Sequence, residues 1–222
     1  MRFDAPLDDV FQGQSALRVL RAAIELPEGF GASAREIARR AGISHPTASK
    51  VLGSLAVQGL VLVRRTGRGD DYEINRDHVL FDELAGLLEF ERSLSKDLVS
   101  FLATEIAKEA PEVKRAFLFG SVAWEEAAVD SDIDLAVLCT GESRPSVEAG
   151  LLRIGEAVRR RFGNRLSVQV KSPGSVPLED LLVGQQLSPM WRRILREGLP
   201  IPILERRVVT RRASEPESRR RL

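Results

Sequence analysis

The sequence predicts an α+β protein in two unlike halves, a helical front closed by a β-hairpin and a mixed sheet with flanking helices behind, joined by a helical linker. Three observations carry that prediction. Apolar residues recur at helical spacing between Ser15 and Gln58, then two short strand-like runs surround a Gly-rich turn. A second helical stretch follows over 76–110. Beyond it, apolar runs at Phe117–Phe119, Asp132–Cys139 and Leu166–Lys171 read as strands, with a helix between the last two. The implied division is 1–76, a linker at 77–94, a second domain at 95–205 and a basic tail at 206–222. At 222 residues and 43% hydrophobic content the chain suits two domains with real cores.

The first helix starts at Ser15, with Leu17, Val19, Leu20 and Ile24 inward, and ends near Pro27-Glu28-Gly29. A second follows Ser33 and carries Ile37, Ala38 and Ala41. Gly42 breaks it. Ser44 is suited to cap the next helix, and Pro46 falls where a missing N–H does no harm. That third helix covers about His45–Gln58, with Val51, Leu52, Leu55 and Ala56 inward. Helix, glycine turn and helix make a helix-turn-helix unit. Gly59-Leu60-Val61-Leu62-Val63-Arg64-Arg65, the turn Thr66–Asp70 and Tyr72-Glu73-Ile74-Asn75 then make a hairpin.

Over residues 35–68 seven basic residues stand against one acid, Glu36, in a chain whose net charge is only +1. Any nucleic-acid binding must come from such clustering. Arg35-Glu36-Ile37-Ala38, Gly42-Ile43-Ser44, Gly59-Leu60-Val61 and Tyr72–Asn75 resemble the winged helix-turn-helix of bacterial and archaeal transcriptional regulators. The resemblance implies a double-stranded DNA partner. Ser44, His45, Thr47, Ala48 and Lys50 are expected in the major groove, with Ser49 facing groove or backbone. Arg64, Arg65 and Arg68 are expected against phosphates or the minor groove.

The stretch 76–110 carries Leu80, Phe81, Leu84, Leu87 and Leu88, then Leu94, Leu98, Leu102 and Ile106 every four residues. This stripe is expected to pack mainly within the chain and to contribute to a homodimer.

In the back half, Phe117-Leu118-Phe119 ends in Gly120-Ser121, and Asp132-Ile133-Asp134-Leu135 follows. Alternation along a strand puts Asp132 and Asp134 on one face, with Ile133 and Leu135 inward. Two adjacent carboxylates repel unless a cation lies between them, and hard oxygen ligands of this kind suit Mg2+ shared with substrate phosphates. The turn at Gly120-Ser121 presents backbone N–H groups where a phosphate could sit. A helix over about Ser146–Phe162 and a turn at Gly163-Asn164 lead to the third strand. The single cysteine, Cys139, excludes an internal disulfide and reads as a small buried hydrophobe.

The run from Gly120-Ser121 through Ser131-Asp132-Ile133-Asp134-Leu135 resembles the signature of minimal nucleotidyltransferases, whose fold is similar to the palm of DNA polymerase beta. The resemblance covers roughly residues 95–205. It implies Asp132 and Asp134 as catalytic metal ligands, Gly120 and Ser121 as nucleotide-binding residues, and Mg2+ with a nucleoside triphosphate as cofactor and ligand. The sequence departs from the family in two places. Active members carry a third carboxylate on the third strand, where this chain offers Ser167, Gln169 and Lys171. Family members also often have a basic residue soon after the serine, and here Trp124-Glu125-Glu126 follow. Glu179 and Asp180 lie beyond the strand.

These features together predict a DNA-binding transcriptional regulator carrying a weak or inactive nucleotidyltransferase-like domain. The alternative is an active Mg2+-dependent enzyme moving AMP to a protein or small-molecule hydroxyl, antitoxin-like beside a partner toxin. No run of 18 apolar residues occurs, and Met1–Val10 lacks a signal pattern, so a cytoplasmic protein without a membrane partner is expected. The tail at 206–222, with seven arginines and two glutamates, is expected to be disordered.

Overall fold

A computed structural model describes residues 3, 5–11, 13–67, 69–124, 128, 130–172 and 187–203. The fold is α+β. In the front half α1 (Pro6–Val10) precedes α2 (Gln14–Ile24), a short β1 (Ala32–Ser33), α3 (Ala34–Ala41) and α4 (His45–Val57). Strands β2 (Val61–Thr66) and β3 (Gly69–Ile74) form an antiparallel hairpin, and β1 adds to its free edge in the order β1-β3-β2. Ser33 and Ser44 cap α3 and α4, each accepting a hydrogen bond from the backbone N–H three residues on. Between them Gly42 adopts φ +64°, and the Ile43 N–H reaches back to the Ala38 carbonyl at 3.0 Å, which sets the tight turn. Val19, Ile37, Ala38, Ala48 and Leu52 form the centre of this unit, closed by Leu60, Val61 and Ile74 from the hairpin.

One helix, α5 (Phe81–Glu109), runs unbroken for 29 residues. Phe81 and Leu88 pack in the front core, whereas Leu94, Leu98, Leu102 and Ile106 enter the back core. That four-residue stripe is buried within the chain, so it leaves no exposed leucine for a second copy.

The back half contains β4 (Arg115–Phe119), the four-residue α6 (Gly120–Ala123), β5 (Ile133–Leu138), α7 (Arg144–Phe162), β6 (Leu166–Lys171), α8 (Pro189–Glu197) and β7 (Leu199–Ile201). The sheet order is β6-β5-β4-β7, with β5 and β6 parallel and the remaining pairs antiparallel. Alternation divides β5 between two layers. Ile133, Leu135 and Val137 face α5 and α7, while Ala136 and Leu138 meet Trp191 and Ile194 of α8. Cys139 is buried at the end of β5. The expected helical segment around Leu181-Leu182, together with Glu179, Asp180 and the tail, lies outside the described residues.

A cluster of charges ties α1 and α2 to α5. Arg21 makes paired hydrogen bonds to Glu91 at 2.7 and 2.9 Å and reaches Asp8 at 2.6 Å. Arg18 also binds Asp8, and the Leu7 N–H donates to Glu91. Both carboxylates are almost fully buried. Burial pushes the Asp8 carboxyl up, but the guanidinium groups of Arg21 and Arg18 outweigh it and hold Asp8 below the usual carboxylate range.

Candidate nucleic-acid face and carboxylate site

Helix α4 presents a polar face opposite its core side. Ser44, His45 and Lys50 are exposed, and Thr47 and Ser49 are half-buried. The Ser44 hydroxyl lies 2.7 Å from the Thr47 hydroxyl, and Ser49 lies 3.4 Å from the His45 ring. Ala48 corrects the expectation. It is fully buried beside Leu52, so it cannot enter a groove. Its spacing of four and seven residues from Leu52 and Leu55 places it on the inner stripe of the helix.

The basic cluster is also less free than the sequence count implied. Glu36 binds both Arg39 and Arg40 at 2.7 Å. Those two hydrogen bonds lower the Glu36 carboxyl to about 2. On the hairpin, Arg64 pairs with Glu73 at 2.6 Å, and the register sets Arg64 opposite Asp71 and Arg65 opposite Asp70. The seven-to-one excess ends at residue 68, and the returning strand carries the balancing acids. Arg35, Lys50 and Arg65 have no ion pair among the described residues. Arg68 lies outside them.

The second site is at one end of the back sheet. β4 ends at Phe119, which pairs with Asp134 on β5, and α6 begins at Gly120. Gly120 has φ +74°, and a Cβ there would collide with the Asp134 carboxylate. Asp134 thus lies directly against the Gly120-Ser121 turn. Asp132 precedes β5 and is exposed, while Asp134 is half-buried. Burial raises the Asp134 carboxyl above its ordinary value, opposed by a hydrogen bond from Ser167, and the charge of Asp132 raises it further. Ser131 caps its own turn by accepting from the Ala128 N–H, and its carbonyl accepts from the Asn164 side chain.

Ser167 is the β6 partner of Asp134 in the parallel register. The position beside the half-buried carboxylate is therefore filled by a hydroxyl. No cluster of three or more His, Cys, Asp or Glu suited to a metal occurs among the described residues. Glu125 and Glu126 lie outside them.

Two cations that sequence reading missed stand near this end of the sheet. Arg165 immediately precedes β6, and its carbonyl accepts from the Ile133 N–H, so it flanks Asp132 across the strands. Arg193 of α8 lies over the Trp124 ring at 4.0 Å and binds Glu197 at 2.8 Å. Trp124 caps α6, its N–H bonding the Gly120 carbonyl at 3.2 Å. The α8 helix covers the sheet face that alternation assigns to Asp134 along with Ala136 and Leu138.

The back half carries a nucleotidyltransferase-like domain, since residues 103–169 match the family model described as Polymerase beta, Nucleotidyltransferase. The chain as a whole belongs to a family of unknown function, DUF7342, whose model matches residues 16–132, more than half of its length. No curated protein matches it. Among solved structures it is similar to TrmBL2, an archaeal chromatin protein described with a novel mode of DNA binding. That match has 17% identity and a TM-score of 0.28, covering 87% of this chain and 77% of that one. It is also similar to PigF with SAH, at 18% identity and a TM-score of 0.24, covering 76% of this chain and 60% of that one. No helix among the described residues is long and apolar enough to cross a membrane.

Proposed function

We propose that the protein is a DNA-binding transcriptional regulator whose nucleotidyltransferase-like domain holds a nucleotide with weak or no transfer chemistry. The observation that carries this reading is the two-sided character of α4. Its inner stripe of Ala48, Leu52 and Leu55 is fixed in the core, while Ser44, His45 and Lys50 project outward. A tight glycine turn precedes it and a hairpin follows, the arrangement of a winged helix-turn-helix. Ser44, His45 and Lys50 would contact base edges, with Thr47 and Ser49 at the groove wall. Arg35 and Arg65 would meet phosphates, joined by Arg64 and Arg68 from the wing. A homodimer on paired half-sites would supply the extent of contact that specificity needs.

In the back domain Asp132 and Asp134 fit Mg2+: one carboxylate is half-buried beside a second negative charge, and a hard cation relieves both. When bound, the ion would neutralise charge on a triphosphate. Gly120 and Ser121 would face the phosphates with their backbone N–H groups. Arg193, over the Trp124 ring on the helix that covers the Asp134 side of the sheet, would supply a cation that the residues after Ser121 lack, shared with its partner Glu197. Ser167 cannot act as a base near neutral pH, which supports nucleotide binding over rapid transfer. The alternative, AMP transfer to a hydroxyl, rests on the same two aspartates.

Selection of genomic duplexes by the full chain tests the leading reading. Enrichment of one sequence class is expected, with loss of that enrichment in a Lys50→Ala variant. Recovery of random fragments would contradict it. Labelled ATP with Mg2+ tests the alternative: label transferred to an acceptor by the wild type, but not by Asp132→Asn with Asp134→Asn, would establish it.

A further inference from the structure

Where α1 crosses α5 and meets the end of α7, the fold leaves a cavity of about 360 Å³ that neither the α4 face nor the carboxylate site uses. That size lies within the range of roughly 300–1,000 Å³ typical of small-molecule sites. Its walls are mostly apolar. Leu7 and Val10 come from α1, Leu87, Phe90 and Leu94 from one face of α5, and Phe162 from α7. Val10 and Phe90 stand at the rim, 67% and 57% exposed. Large apolar side chains left open beside an apolar hollow are better covered than hydrated.

Three charged groups line the same cavity, and their partners decide what could enter. Glu91 is already bound by Arg21 and the Leu7 N–H. The Asp97 carboxylate accepts from the Ser93 hydroxyl at 2.9 Å. Arg161 differs from both. Its guanidinium lies across the rings of Phe101 and Phe162, 5.1 and 5.8 Å from their centroids, and has no carboxylate partner among the described residues. The two ring contacts hold the guanidinium at the cavity wall, where its fork of N–H donors suits the two oxygens of a carboxylate.

We propose that this cavity binds a small amphipathic carboxylate, its apolar body against Leu87, Phe90 and Leu94 and its acid group on Arg161. The occupant would touch α1, the front half of α5 and the end of α7 together, so it would link the two halves of the chain at their junction. This site is independent of the DNA and nucleotide sites, and its test reads ligand binding alone.

The experiment is calorimetric titration of the full chain with octanoate, 1-octanol and octylamine, with thermal melting in parallel. Octanoate is expected to bind with a Kd near or below about 1 mM, a modest efficiency for its size, and to raise the melting temperature. Octanol should bind at least about tenfold more weakly, because only the carboxylate gains charge-assisted hydrogen bonds from Arg161. Octylamine binding more tightly than octanoate would place selectivity on Asp97 and overturn the proposal. Arg161→Gln should reduce octanoate to the level of octanol while leaving octanol unchanged. Leu87→Trp, which fills the cavity, should abolish both while the circular dichroism of the free protein is retained. No octanoate binding by the wild type would overturn the proposal. So would equal binding of all three amphiphiles, or octanoate binding untouched by both substitutions.

Discussion

The Asp134 carboxylate occupies the space that a side chain on Gly120 would fill, so the turn after β4 and the acid on β5 are built as one unit. Gly120 also has φ +74°, where L side chains are strained. Gly120→Ala is expected to cost about 1–3 kcal/mol of stability. It should also displace Asp134 and remove any gain in melting temperature from MgATP. Thermal melting with and without MgATP checks both, and an alanine variant that keeps the full nucleotide-induced gain would separate the two residues.

Arg21 holds two buried carboxylates at the junction of α1, α2 and α5. Arg21→Ala leaves Asp8 and Glu91 without their main counter-charge, at an expected cost of about 3–5 kcal/mol in urea denaturation. The pH dependence follows from the lowered Asp8 carboxyl. Its stabilising contribution is complete above the ordinary value of 3.8 and is lost as pH falls below it. The wild type should therefore lose stability in acid more steeply than Asp8→Asn. Parallel acid limbs would remove the cluster from the account of acid stability.

Glu36 ties up Arg39 and Arg40 on α3, the helix before α4. Glu36→Gln keeps the shape and releases both guanidinium groups. Affinity for duplex DNA should rise, and the log–log salt slope should steepen by about 1–2, one step for each arginine that reaches a phosphate. An unchanged slope would place both arginines away from the duplex.

Arg193 rests on Trp124, one turn past Gly120. If this cation serves the nucleotide phosphates, Arg193→Gln should weaken ATP binding about tenfold or more and leave adenosine binding unchanged. Trp124 fluorescence offers a direct reporter. Equal loss for ATP and adenosine would mean that Arg193 only supports the tryptophan.

Local chemistry was legible in the sequence. The Ser44 cap, the helix start after Ser33, the turn at Gly42, the hairpin and the four-residue stripe of α5 follow from short-range patterns, and each appears where spacing put it. Ala48 is the exception: it lies early in α4, but its distance from Leu52 and Leu55 marks it as inward, and it is buried. Pairings across the chain were not legible. Arg64 meets Glu73 only once the hairpin register is known, and Arg21 meets Glu91 across seventy residues. The absence of an acid on this face of β6 was visible in Ser167, Gln169 and Lys171, but only the register sets Ser167 beside Asp134. Arg193 was not, because nothing near Trp124 in the sequence indicates that α8 folds over it.

The ratio of Kd for a scrambled duplex to Kd for the selected duplex, measured near 0.15 M salt, tests the DNA-binding role most directly. A regulator reading base edges with Ser44, His45 and Lys50 should show a ratio of about 10³ or more, falling by roughly tenfold or more in Lys50→Ala. A ratio near one, with both duplexes bound equally or not at all, would contradict it.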